Sequence, residues 1–151
     1  MPQAHVAGTV ELFLQRTIHA PVGTVFRAWT DPESMKGWFA PPDRETALAE
    51  VDLRVGGKYR IGFREKGNDA MRVVSGVYRE IRAPHRLVFT WCWEDDPEKH
   101  ETLVTVDLRE CAGQTVLKLT HINFQSEDVR DHHKKGWVGC VDSLVRNLQA
   151  T

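Results

Sequence analysis

The sequence predicts an α+β domain: a curved antiparallel sheet of about seven strands gripping one long C-terminal helix, with two short helices after the first strand. Three observations carry this. The hydrophobic period is two over roughly eighty residues after Pro42. The turns inside that stretch are mostly short, which makes neighbouring strands antiparallel. From Ser126 to Ala150 the period becomes helical, and one apolar face of roughly 160° is left seeking a partner.

Taken in order, residues 1–8 carry no pattern and read as a loose leader, so a single domain is expected over 9–150. From Thr9 to His19, Val10, Leu12, Leu14 and Ile18 alternate with Glu11, Gln15 and Thr17, a half-buried strand whose apolar face is interrupted by Arg16. Pro21 at the first helical position opens a short helix with Val22, Val25, Phe26 and Trp29 on one stripe. Thr30-Asp31-Pro32-Glu33 restarts a helix of about two turns, capped either by a Thr30/Glu33 box or by Asp31, and Ala40-Pro41-Pro42 stops it.

The strands follow. Ala47, Ala49, Val51 and Leu53 share one face, a Gly56-Gly57 hairpin turn reverses the chain, and Tyr59, Ile61 and Phe63 share the next. In Arg72 to Arg82 the faces compete, with Val74, Gly76 and Tyr78 against Val73, Val77 and Ile81. Leu87, Phe89, Trp91 and Trp93 then line one face, with Thr90, Cys92 and Glu94 on the other. Val104, Val106 and Leu108 follow, and Leu117, Leu119 and His121 close the series. In the helix, Ser126 is the N-cap, and Val129, Trp137, Cys140, Val141, Leu144, Val145 and Leu148 form the apolar face, with Lys135, Asp142 and Arg146 opposite. His133 lies within that apolar stripe. At about 1.5 Å per residue the helix would be about 37 Å long, enough to cross the concave side of a twisted sheet. Gly136, at the edge of the stripe, leaves room for close packing or ligand. Gly139 faces outward, and if the helix must bend to admit a ligand, Gly136 to Gly139 is where the bend is expected.

Composition narrows function. Twenty Lys+Arg against 21 Asp+Glu, interspersed, leave no footprint for nucleic acid or an anionic membrane. No apolar run of about eighteen residues and no basic start followed by an apolar stretch is present, so a soluble, cytoplasmic protein is expected. Cys92, Cys111 and Cys140 are odd in number and far apart, and read as reduced structural thiols. Asp128 and His132 sit four apart on the helix with no third ligand, so neither metal nor cofactor is expected. Charged Arg16, Glu50, Arg54 and Glu80 would mark a site only if they pointed inward.

Arg16-Thr17-Ile18-His19-Ala20-Pro21, Val25-Phe26-Arg27-Ala28-Trp29-Thr30-Asp31-Pro32, Trp38-Phe39-Ala40-Pro41, Asp52-Leu53-Arg54-Val55-Gly56-Gly57-Lys58-Tyr59, Gly76-Val77-Tyr78-Arg79-Glu80-Ile81, Arg86-Leu87-Val88-Phe89-Thr90-Trp91 and Gly136-Trp137 occur in this order. Together they resemble the family related to the C-terminal domain of the activator of heat-shock protein 90 ATPase, within the START-like, helix-grip superfamily. The resemblance spans roughly residues 9–149 and implies a cavity between sheet and long helix. Lipid binding, cyclisation, hydrolysis and co-chaperone roles are distributed among the superfamily's members.

Five tryptophans in 151 residues are many, and aromatic walls with few polar groups are what small-molecule pockets use. The residues expected to meet a small apolar or aromatic ligand are Trp38, Phe39, Tyr59, Phe63, Phe89, Trp91, Trp93, His121, His133, Trp137 and Val141. A chaperone partner is the alternative the resemblance implies. A second alternative is a cyclase-like or hydrolase-like enzyme using His121 or Tyr78 as proton donor or acceptor, although no nucleophile and base can be paired by spacing. Monomer and homodimer both stay open.

Overall fold

A computed structural model describes residues 10–40 and 43–149. The leader and the Pro41-Pro42 stop signal lie outside the described residues. In chain order the elements are β1 (Val10–Ile18), α1 (Val22–Thr30), α2 (Pro32–Met35), β2 (Arg44–Val51), β3 (Lys58–Glu65), β4 (Met71–Arg82), β5 (Arg86–Trp93), β6 (Thr102–Cys111), β7 (Gln114–Phe124) and α3 (Glu127–Gln149).

The strands form one antiparallel sheet in the order β1-β7-β6-β5-β4-β3-β2. Five of its six pairings join strands consecutive in sequence, and the sixth brings β1 beside β7, with Leu12 opposite His121 and Ile18 opposite Thr115. The sheet curls into a half-barrel with α3 in its grip. Its concave face carries the residues alternation placed there: Leu12, Leu14 and Ile18; Tyr59, Ile61 and Phe63; Leu87, Phe89 and Trp91; Val104, Val106 and Leu108; Leu117, Leu119 and His121 are all buried.

The two competing faces of β4 are both real. Val74 and Tyr78 are buried, and a register shift between Tyr78 and Glu80 then changes the parity, so Ile81 packs against the core on the same side. Gly76, between them, is required by close approach: a Cβ there would stand 1.9 Å from the Thr90 carbonyl oxygen and 2.7 Å from the Tyr59 ring. That ring's hydroxyl donates to the same oxygen at 2.5 Å. Thr90, expected outside, is buried and accepts the Val77 N–H at 2.8 Å. The Gly56-Gly57 turn forms with Gly56 at φ +86°, a conformation suited to glycine.

Several local expectations shift. Pro21 is the residue before α1 rather than its first, and Val22 N–H donates to Glu110 Oε1 at 2.8 Å. Asp31 precedes Pro32 in the N-cap position of α2 and accepts from Ser34 Oγ at 3.0 Å; Thr30 Oγ donates to Phe26 O instead of forming a box with Glu33. Leu53 lies beyond β2 and is exposed, and Val129, in the first turn of α3, is exposed as well. Gly139 is partly buried, and α3 extends from Glu127 to Gln149 through both glycines.

Arg16 interrupts the apolar face of β1 because it has a partner on the helix: its Nε donates to Asp142 Oδ1 at 3.0 Å. Glu50 pairs with Arg60, Arg54 with Asp52, and Glu80 with Arg82 and Arg86. None of these four lines the cleft described next.

Candidate functional site

Between α3 and the β3-β4-β5 half of the sheet lies a partly open cleft of about 370 Å³. Its aromatic lining comes from Phe39 after α2, Phe63 on β3, Trp91 and Trp93 on β5, and Trp137 on α3. These rings are ordered by one another. Trp91 and Trp137 have centroids 5.1 Å apart, Trp91 and Trp93 meet edge to face at 5.8 Å, and Phe39 meets Trp137 edge to face at 5.5 Å.

Two histidines hold two of the indoles. Trp137 Nε1–H donates to His121 Nδ1 at 3.0 Å, which places the imidazole proton on Nε2, where it is donated to Thr102 Oγ at 2.6 Å; that hydroxyl in turn donates to the Trp91 carbonyl at 3.1 Å. Trp93 Nε1–H donates to His133 Nε2 at 3.0 Å, so the His133 proton is on Nδ1 and goes to the Val129 carbonyl at 2.9 Å. Both arrangements require neutral imidazole. Burial pushes the His121 pKa well below its ordinary value, and the neighbouring His133 adds to this. His133 is lowered as well, chiefly by burial, against a smaller opposing effect of its hydrogen bond to Val129. Trp91 Nε1 is buried without a hydrogen-bond partner among the described residues.

Gly136 opens the helix side of the cleft. A Cβ there would have nothing within 4 Å, so this glycine borders open space and not a close packing contact. Cys140 also lines the cleft, but burial pushes its thiol up to about 12, which leaves it protonated and unreactive.

Of the residues expected to meet a ligand, Phe39, Phe63, Trp91, Trp93, His133 and Trp137 line the cleft. The others do not. Trp38 is buried beneath it with its indole N–H on the Ala28 carbonyl at 2.9 Å. Tyr59 and Phe89 pack with Tyr78 on the far side of Phe39, around a space of about 10 Å³ that is too small for a ligand. Val141 is fully covered core, and His121 stands behind Trp137 with both ring nitrogens engaged. Neither proton-transfer candidate therefore reaches the cleft: His121 has no ring nitrogen to spare, and burial raises the Tyr78 pKa far above the range useful near neutrality.

Five further polar members of the cleft were not among the residues expected there. Asp43 and Arg44 at the start of β2, Arg72 on β4, and His132 and Lys135 on α3 all line it. Arg72 carried a signal, since it shares the parity of Val74 and Tyr78 and so belongs to the concave face. Lys135, opposite the apolar face on the helix wheel, lines the cleft all the same, with a long stem and a glycine beside it. Among the described residues no group of three His, Cys, Asp or Glu side chains gathers to hold a metal, and no helix is long and apolar enough to cross a membrane.

The family model described as Activator of Hsp90 ATPase homolog 1-like protein matches residues 19–149. Similar solved structures include protein CV1439 from Chromobacterium violaceum, 23% identical, with a TM-score of 0.82 over 91% of this chain and 96% of that one. The AHSA1 protein from Silicibacter pomeroyi is 21% identical, with a TM-score of 0.82 over 93% and 99%. CalU16 from Micromonospora echinospora is 30% identical, with a TM-score of 0.65 over 89% and 73%. Comparison with curated proteins returned no match.

Proposed function

The chain belongs to the family of Activator of Hsp90 ATPase homolog 1-like proteins, and from that premise we propose that it is a cytoplasmic, single-domain binding protein for a small apolar or aromatic ligand, seated between the sheet and α3. The observation that carries this reading is the cleft of about 370 Å³ walled by Trp91, Trp93 and Trp137. That volume falls in the range of small-molecule sites, about 300–1,000 Å³, and aromatic walls with a few polar groups at the edge are their usual lining. Burying roughly 200 Å² of apolar ligand surface contributes about 5 kcal/mol before entropy costs, so affinity needs no catalytic group. With His121 and Tyr78 both outside the cleft, binding is favoured over catalysis.

Native mass spectrometry of gently purified protein, with thermal-shift screening of apolar and aromatic compounds, tests the proposal. A retained adduct or a saturable rise in melting temperature is the expected result, and the absence of both overturns it. The family description supports a second reading, a domain that acts on a chaperone. Stimulation of an Hsp90-type ATPase by the purified chain, unaffected by cleft-filling substitutions, would favour it.

A further inference from the structure

The cleft has an aromatic interior and a cationic mouth. The indole N–H groups of Trp93 and Trp137 are taken by His133 and His121, so these walls offer ring surface without a free donor. Charge is confined to other side chains. Arg72, Arg44 and Lys135 are the cations lining the cleft, and Asp43 is the one carboxylate among its described lining residues.

Arg72 is held in place. Its guanidinium carbon lies 3.9 Å from the centroid of the Trp93 ring, and its Nε donates to Asp95 Oδ2 at 3.0 Å. Its two terminal nitrogens make no hydrogen bond among the described residues. Stacking plus one anchored nitrogen fixes the plane of the group and leaves its outer N–H donors available, the geometry that suits a carboxylate. Lys135 forms no ion pair among the described residues, and Arg44 has only a long contact of 3.7 Å to Glu65. Asp95 and Glu65 both lie outside the lining.

We propose that the cleft takes an amphipathic organic anion: a planar aromatic body among Trp91, Trp93 and Trp137, and a carboxylate at the mouth received by Arg72, with Lys135 and Arg44 adding attraction. A neutral ligand would leave these donors unused, and a cation would meet Lys135, unpaired among the described residues, and the outer guanidinium faces of Arg72 and Arg44, whose carboxylate partners Asp95 and Glu65 lie outside the lining. This inference rests on the reading of the cleft as a ligand site.

Isothermal titration of the full chain with naphthalene-2-carboxylate and its carboxamide separates the two claims, because the probes share a body and differ in charge. The carboxylate should bind about tenfold tighter, a difference of about 1.4 kcal/mol, and its affinity should fall as salt is raised. Arg72→Gln and Lys135→Gln should each reduce the preference, Arg72→Gln to about twofold or less, while carboxamide affinity changes by less than about twofold. Both side chains are at the surface, so the variants fold, and an unchanged circular dichroism spectrum verifies it. Equal binding of the two probes, or equal weakening of both by Arg72→Gln, overturns the anion and leaves the ligand site standing. If neither probe binds at millimolar concentration, the ligand-site reading falls with it.

Discussion

His121 stays neutral because its bond from Trp137 and its burial both favour the uncharged ring. Nδ1 must accept from Trp137, so a second proton there would set two donors against each other, and burial withholds the solvation a charge would need. His121→Ala removes the acceptor of a buried indole and opens a hole beneath the cleft wall; a loss of about 2–4 kcal/mol in urea unfolding is expected. The sign of the pH dependence follows from the lowered pKa values of His121 and His133. Below their unfolded value, near 6.5, the unfolded chain binds protons that the folded chain refuses, so the histidines' contribution to stability is fully present above that pH and is lost as the pH drops beneath it. Urea midpoints at about pH 7.5 and about pH 5.5 check this, and the loss should be smaller in His133→Gln, which removes one of the two groups while keeping an acceptor for Trp93. That these histidines would be in the interior was legible from their positions on apolar stripes. Their job, capping tryptophans from other elements, was not, because Trp137 and His121 are on different elements and their meeting is set by how helix and sheet dock.

At the scale of the element, α3 carries two separable tests. Ser126 Oγ accepts the Val129 N–H at 3.2 Å, the N-cap contact expected from the sequence, and Ser126→Ala should cost about 1 kcal/mol. Gly136 has helical neighbours and open space where a side chain would go, so Gly136→Ala should stabilise the fold by about 0.5–1 kcal/mol. Gly136→Leu should keep the fold and block ligand, because its side chain would occupy the cleft; a stable protein that still binds ligand unchanged would show that the cleft is not the site. A helix this long has a period strong enough to read from sequence. β4 did not, for a physical reason: a bulge inserts one residue into a two-residue period, so each half of the strand read alone points to a different face.

For the molecule as a whole, many ion pairs join exposed side chains of the sheet and its loops, among them Arg60 with Glu94, Arg64 with Glu45 and Arg86 with Asp107. Exposed pairs of this kind contribute little, so raising salt from about 0.05 to about 0.5 M should move the melting temperature by no more than about 2 °C. A bound ligand acts on the whole fold at once: at about a hundred times its Kd it adds about 2.7 kcal/mol, which for a chain of this size raises the melting temperature by roughly 5–10 °C in differential scanning calorimetry. The α+β class, the seven strands, the long capped helix and the apolar face of most elements were determined by the sequence alone, because periodicity, turn residues and caps are local and each element states its own buried side. The return of β1 to pair with β7, the division of the aromatic residues into a packed half behind Phe39 and an open half before it, and the gathering of Arg44, Arg72 and Lys135 at one mouth were decided only in the tertiary structure. Those features depend on the curl of the sheet and on where α3 lies across it, and residues some sixty positions apart in the chain become neighbours only once that curl exists.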